Sequence, residues 1–482
     1  MENDQQPSSR AHAPGDFNYL IVSDLHLRGG FSNRTAGLYH FDQEFADFLR
    51  YYRLHHGAGR PWRLIIAGDF IEFLYITDIP DRADPLLRGC AFAPSEYRYG
   101  AGTEARKSRW KLDRILRSSH PQILLALARF VAEGNEIVVL RGNHDIEMSW
   151  PEVQEHFRRL IAEHHPVDVG YMAMKELARE RVQFPLWFWY APDLLYVEHG
   201  CQYDPFCSTE HMLYPVVPHA PSRIQLSIAE LGIRYFTNQM KMIDAMAAEN
   251  IMSVSEYVGW LLRGKTSMLP RVLTLYAGMV RRILAKSGRP DPVAERAVRE
   301  EHQRRVAGVD ASFGLRPGTA AAVDALHAPP VTRSWIATAR FLSLDIMIAA
   351  AAFIAATAVI LIEYPTRFGL LVLVAVAAVF GVIAYAGALR VRHVTEAAQL
   401  RRTAERLAHT FEVPYVALGH SHAAGLWRLP SGATYVNVGT WVPGGEEGYF
   451  VYFAIIPGAG DVQARLWRWN KGKGEPELFE PA

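Results

Sequence analysis

Cysteine is scarce in this chain: Cys90, Cys201 and Cys207 are the only three among 482 residues. Three thiols cannot build a disulfide framework, and the scarcity suits a reducing compartment. Excess charge of either sign is also missing, with 51 Lys and Arg against 50 Asp and Glu and a formal net charge of +1. A dedicated nucleic-acid binder would carry a basic excess or stripe, so nucleic acid is not an expected partner. The opening MENDQQPSSRAHAPGD has no apolar core, which predicts a loose tail over 1–16 rather than a secretory signal peptide. There is no internal repeat. A disordered chain is excluded, because 50% of the residues are hydrophobic and only 21% are charged.

What the chain does contain is a repeated local grammar. NYLIVSDLHL, RLIIAGDF (63–70), EIVVLRGNHD (136–145), LLYVEHG (194–200), YVALGHSH (415–422) and TYVNVGTW (434–441) are each a short β-rich run that stops at Gly, Asp, Asn or His. Helical patterns such as FDQEFADFLRYY (41–52) and PQILLALARFVAEG (121–134) lie between the early ones. Strands alternating with helices predict an α/β sheet, and polar residues at the C-terminal ends of its strands mark where such sheets place their sites. From about 202 to 400 the grammar changes to helical periodicity, at 222–249, 270–288 and 292–306, followed by an Ala-, Pro- and Gly-rich linker. The expected organisation is a catalytic domain in two parts, 17–205 and 393–482, split by a helical insert (206–335) and an apolar segment (336–392).

That apolar segment holds two runs, Ile346–Ile362 and Phe368–Leu389, joined by EYPTR. The second is about 22 residues, or roughly 33 Å as a helix, against a hydrocarbon core of about 30 Å. The expectation is a two-span transmembrane hairpin. Arg333, Arg340, Arg390, Arg392, Arg401 and Arg402 flank it, whereas the turn has only Arg367. This asymmetry predicts a multi-pass inner-membrane protein, in contact with the bilayer, whose catalytic domain is cytoplasmic.

The strand ends supply Asp24 and His26, Asp69, Asn143, His144 and Asp145, His199, and His420 and His422. No packing argument requires five strand ends to deliver carboxylate, imidazole and amide groups. Such donors suit divalent manganese, iron or zinc. One shared carboxylate can bridge two ions about 3.5–4 Å apart, the arrangement used for phosphate-ester hydrolysis.

With these blocks in this order, Asp24-x-His26, Gly68-Asp69, Gly142-Asn143-His144-Asp145, His199-Gly200 and Gly419-His420-Ser421-His422, the sequence resembles the calcineurin-like metallophosphoesterases. The resemblance covers about 17–205 and 413–456. It implies an αββα sandwich, here interrupted by the helical insert and the hairpin. It implies two divalent ions, manganese foremost and iron or zinc as alternatives. Asp24, His26 and His422 would hold one, Asn143, His199 and His420 the other, and Asp69 would bridge them. A bridging hydroxide would attack phosphorus. His144 would serve the leaving oxygen as proton or hydrogen-bond donor, with Asp145 orienting its ring.

Within the superfamily the layout looks most like the UDP-2,3-diacylglucosamine pyrophosphatases, from which it departs by having His144 where they typically have Arg and by its longer insert. The implied function is a membrane-anchored phosphoesterase for a phosphate ester or pyrophosphate, a lipid-linked substrate being favoured. The alternatives are a phosphodiesterase for a soluble nucleotide, with the hairpin only an anchor, or a non-catalytic membrane scaffold. Arg141 is a candidate phosphate contact. Trp187-Phe188-Trp189-Tyr190 is either a lipid-facing lip or core. The segment Asn437–Trp441 should turn at the edge of the site.

Overall fold

Every residue of Asn18–Val22 is buried, which a strand achieves only when both of its faces are covered. The computed structural model describes residues 16–29, 41–78, 83–239, 269–286, 291–342, 344–363, 396–442, 449–458 and 462–480, with a few further positions between 267 and 381. The strands described are β1 (Asn18–Val22), β2 (Trp62–Ala67), β3 (Glu136–Leu140), β4 (Val182–Gln183), β5 (Trp189–Ala191), β6 (Leu195–Glu198), β7 (Val216–Val217), β8 (Ala220–Ile224), β9 (Tyr415–Leu418), β10 (Gly425–Arg428), β11 (Thr434–Asn437), β12 (Val451–Pro457), β13 (Val462–Asn470) and β14 (Glu475–Leu478).

They form a seven-stranded sheet in the order β14-β13-β12-β1-β2-β3-β4, a five-stranded sheet in the order β10-β11-β9-β6-β5, and the small β7–β8 hairpin. β1 to β4 are mutually parallel, as are β6, β9 and β11.

Side-chain alternation sets the layers. Tyr19 and Ile21 of β1, with Ile65 and Val138, pack against Leu195, Val197, Ala417 and Val436 of the second sheet. Leu20 and Val22 point the other way, onto Phe45, Phe48, Leu124, Leu127, Phe157 and Leu160 of the helices Asp42–Leu54, Pro121–Ala132 and Pro151–Glu163. Outside the second sheet lie Leu400, Ala404 and Leu407 of the helix Glu396–Phe411. Val306 and Val309 of Pro292–Phe313 join them there. Part of the expected insert is thus an outer layer of the sandwich. Trp187, Phe188 and Trp189 are buried in these cores, so they are not an exposed lip.

The transmembrane hairpin is corrected by the structure. Among the described residues no helix is long and apolar enough to cross a membrane. The first expected span is helical over Leu344–Glu363. However, Asp345 and Glu363 confine its charge-free stretch to about 17 residues, or roughly 26 Å, short of a hydrocarbon core of about 30 Å. Most of the second, 368–389, lies outside the described residues, as does most of the helical pattern expected over 222–249 beyond 239. The hairpin and the multi-pass inner-membrane placement with a cytoplasmic catalytic domain are accordingly not supported.

Trp441 closes the strand-end region from the helix side. It is fully buried, and its ring lies 5.0 Å from those of both Phe45 and Phe48 and 5.4 Å from that of Phe450. Trp441→Ala should lower the unfolding free energy by about 3–5 kcal/mol, the range for a buried aromatic whose cavity stays unfilled. Urea denaturation measures this, and a loss below about 1 kcal/mol would show that the cluster is not a packed core.

Candidate metal centre

The parallel strands of both sheets end on one side, and the polar residues that follow them meet there. Asp24 and His26 follow β1, Asp69 follows β2, Asn143 and His144 follow β3, His199 follows β6, and His420 and His422 follow β9. Five of these, Asp24, His26, Asp69, His420 and His422, have φ between 46° and 70°. Side-chain-bearing residues rarely adopt that left-handed region, and such strain persists where surrounding structure enforces it for a purpose. Only nine non-glycine residues among those described have positive φ, so more than half of the strained positions fall in one site.

The glycines beside these residues are needed for close approach. A Cβ on Gly142 would stand 2.1 Å from Asp69 Oδ1, and one on Gly419 would stand 2.7 Å from Asp24 Oδ2.

Hydrogen bonds to acceptor-only groups assign the imidazole tautomers. His26 Nδ1 and His144 Nδ1 both donate to Glu72 Oε2, at 3.0 and 2.8 Å. His199 Nδ1 donates to the carbonyl of Ala67 at 2.9 Å. His420 Nε2 donates to Asp204 Oδ2 at 3.3 Å, which leaves Nδ1 as its ligand atom. The remaining nitrogens converge. His26 Nε2 lies 3.3 Å from His422 Nε2, 3.7 Å from Asp24 Oδ1 and 4.0 Å from Asp69 Oδ2. His422 Nε2 lies 3.0 Å from Asp24 Oδ1.

Two sets of potential ligand atoms result, Asp24 with His26 and His422, and Asp69 with His199 and His420, each mutually within 4.8 Å. Six of the seven expected ligands, all but Asn143, are therefore placed together.

Two groups test whether ions fit. Asn143 Oδ1 is buried without a hydrogen-bond partner. His199 Nε2 faces Asp69 Oδ2 at 3.2 Å. An unpartnered carbonyl oxygen beside an imidazole nitrogen and a carboxylate is a donor set that fits a divalent ion, which would replace the proton on Nε2.

Electrostatics agree. Burial opposes the charges of Asp24 and Asp69, yet the imidazoles of His422 and His199 around the first, and of His199, His144 and His26 around the second, hold both carboxylates well below their ordinary range. Burial likewise opposes the charge of Glu72, which His144 and His26 hold down at about 2. The reciprocal effect pushes His199 up to about 9: burial works against its charge, but the Asp69 and Asp24 carboxylates outweigh it.

One expected role is corrected. Asp145 does not orient the ring of His144. Its carboxylate accepts from the backbone N–H of Gly142 at 2.6 Å and of Phe70 at 2.8 Å, tying the β3 loop to the β2 loop. Glu72 holds the ring instead. Glu72 is not marked as chemistry by its sequence context; the available signal is a carboxylate three residues after Asp69.

Asn437–Trp441 does reach the site edge. Asn437 Nδ2 donates to the Gly419 carbonyl at 3.1 Å, and Thr440 Oγ1 donates to the Asp24 carbonyl at 2.8 Å. No protein-family model matches this chain and no curated protein matches it. The chemistry is therefore argued from the geometry of the site.

A proton on His199 competes with an ion for Nε2. Because its pKa is raised to about 9, metal affinity should strengthen as pH rises from neutrality towards 9, and uptake at neutral pH should release about one proton or more. Calorimetric titration of chelator-treated protein with Mn²⁺, in buffers of different ionisation enthalpy, measures both. Affinity independent of pH would contradict the assignment of Nε2 as a ligand.

Proposed function

We propose that this chain is a two-ion metallophosphoesterase that hydrolyses a phosphate ester or pyrophosphate. The observation that carries the reading is the position of Asp69. Its Oδ2 lies 3.2 Å from His199 Nε2 and 4.0 Å from His26 Nε2, which belong to different ligand sets. A carboxylate so placed is suited to be shared by two ions. Such ions supply Lewis-acid polarisation of a phosphoryl oxygen and activation of water at neutral pH. Manganese is favoured because both sets are nitrogen and oxygen only.

The chain's own residues then bind, orient and move protons. Asp24, His26 and His422 hold one ion; Asn143, His199 and His420 hold the other. His144 is the acid. Burial works against its imidazolium, but the Glu72 and Asp69 carboxylates hold its pKa up to about 9, so it carries its proton at neutral pH. With Nδ1–H held by Glu72, Nε2–H is the proton delivered to the leaving oxygen. Arg141, two residues before Asn143, is buried and lines a small cavity with Asn143 and Cys201. Its guanidinium donates to Ser149 Oγ and the Met212 carbonyl, and a guanidinium at this cavity suits contact with a phosphoryl oxygen. A lipid-linked substrate rests on the motif resemblance alone.

Activity of the purified, Mn²⁺-supplied protein against p-nitrophenyl esters, UDP-linked lipids, phospholipids and cyclic nucleotides tests the reading and sorts the substrate classes. Asp69→Asn should abolish hydrolysis and lower the metal content; two bound metals with normal turnover in that variant would sink the bridging assignment. His144→Ala should retain metal yet slow turnover by about 10²–10⁴-fold, with a smaller loss for p-nitrophenyl esters, whose leaving group needs little proton assistance. Equal losses for good and poor leaving groups would refute the proton-donor role.

A further inference from the structure

One cluster beside the metal centre is not used by this chemistry. The loop that follows His199 brings Asp204 and Cys207 against His420, and a carboxylate oxygen, the thiol sulfur and an imidazole nitrogen lie mutually within 4.8 Å. Asp204 is held in place, accepting from the backbone N–H of Phe206 at 2.9 Å through Oδ1 and from His420 Nε2 at 3.3 Å through Oδ2. The Cys207 thiol bonds the same carboxylate. Asp204 and Cys207 are both largely shielded from solvent, and Cys207 also lines the small cavity next to Asn143.

We propose that Asp204, Cys207 and Nε2 of His420 form a separate site for a thiophilic divalent cation such as zinc, whose occupation inhibits the enzyme by competing for His420. The proposal rests on the two-ion reading in that it shares His420 with it.

The donor types separate the two kinds of site. Both catalytic sets consist of nitrogen and oxygen and suit manganese, whereas one thiolate, one imidazole and one carboxylate are a zinc or cobalt set. Zinc bonds of about 2.0–2.3 Å in a tetrahedron put ligand atoms roughly 3.3–3.6 Å apart, so a cluster whose atoms lie within 4.8 Å of one another needs to contract by at most about 1.5 Å and leaves the fourth position to water. Binding releases one proton from Cys207 Sγ and displaces the proton of His420 Nε2, which is lost if the ring bridges two ions and is retained on Nδ1 if it does not, and no atom changes oxidation state.

The competition follows from the imidazole itself. A neutral ring has one nitrogen lone pair in its plane. With Nε2–H on Asp204, that lone pair is on Nδ1 and serves the inner ion. A cation at Nε2 takes the electron pair there. His420 must then bridge two ions as an imidazolate or regain a proton on Nδ1 and release the inner ion. The second course leaves that ion with one ligand fewer.

Cobalt(II) reports on the site directly, because a cobalt–thiolate bond gives a near-ultraviolet charge-transfer band that nitrogen and oxygen ligands do not. Full-length protein titrated with Co²⁺ should develop this band. It should disappear in Cys207→Ser and remain in Cys201→Ser. With Mn²⁺ in constant excess, zinc should inhibit p-nitrophenyl ester hydrolysis. Relative to each protein's own uninhibited Mn²⁺-dependent rate, Cys207→Ser should raise the half-inhibitory zinc concentration by at least about tenfold, the smallest affinity loss typical even of an outer-shell partner.

A wild-type protein without the band, or a band that survives in Cys207→Ser, overturns the site. A band lost in Cys207→Ser with unchanged zinc sensitivity overturns the competition for His420. Failure of the two-ion reading looks different: no Mn²⁺-dependent hydrolysis in any variant, with the cobalt–thiolate band still able to appear.

Discussion

Three carboxylates buried side by side impose the constraint on which the site depends. Asp24, Asp69 and Glu72 are at most 2% exposed, and among the described residues the groups that face them are imidazoles and backbone N–H groups rather than lysine or arginine. Removing an ionised carboxylate from water costs several kcal/mol, and near-contact between anions adds to it. The chain offsets part of this with histidines, whose protons pair with the carboxylates. That balance explains why His144 and His199 are both pushed up to about 9. It also makes the site a receptor for cations: an ion of charge two can replace a proton on His199 and neutralise Asp69 more completely than the imidazolium does.

Holding those groups at contact distance takes particular backbone. A ligand at a strand end must turn its side chain back across the sheet edge, and five of them do so from left-handed conformations that cost about 1–3 kcal/mol each. The strain is carried by two sheets packed face to face, with β1, β2 and β3 in one and β6 and β9 in the other. Backbone bonds then tie the loops together: His144 N–H donates to Asp69 Oδ1 at 2.8 Å, His420 N–H to Asp24 Oδ2 at 3.1 Å, and Gly419 N–H to the His199 carbonyl at 3.0 Å. Each cross-tie joins loops from different strands, so no ligand loop is positioned by its own sequence alone.

This division explains what could be read in advance. Apolar runs ending in Asp, Asn or His were legible because strand burial and strand-end chemistry both leave marks on neighbouring residues. Glu72 left no such mark: it stands in DFIEFL, among apolar residues, and only the three-dimensional return of that segment puts its oxygen between His26 and His144. Pro292–Phe313 reads as a solvated, charged helix because its buried face is a narrow stripe, Val298, His302, Val306 and Val309. Hydropathy overstates the span over Leu344–Glu363, where Asp345 and Glu363 bound an apolar run of about 17 residues, roughly 26 Å as a helix.

On the proposed reading, Glu72 links the acid to a metal ligand. One oxygen, Oε2, accepts from both His26 and His144, while Oε1 is buried with no hydrogen-bond partner. The two rings meet edge to face at 4.8 Å, so turning one disturbs the other. A ligand needs its Nε2 unprotonated, whereas an acid needs its Nε2 protonated, and the same carboxylate oxygen orients both rings through Nδ1. What separates the two roles is the second neighbour. His26 Nε2 faces His422 and Asp24, where an ion would exclude the proton, while His144 contributes its backbone N–H to Asp69 and keeps its imidazole proton at neutral pH. On the proposed reading, two chemically identical side chains on a shared anchor take different roles because their second neighbours differ, the pattern by which an active site separates its acid from its ligands.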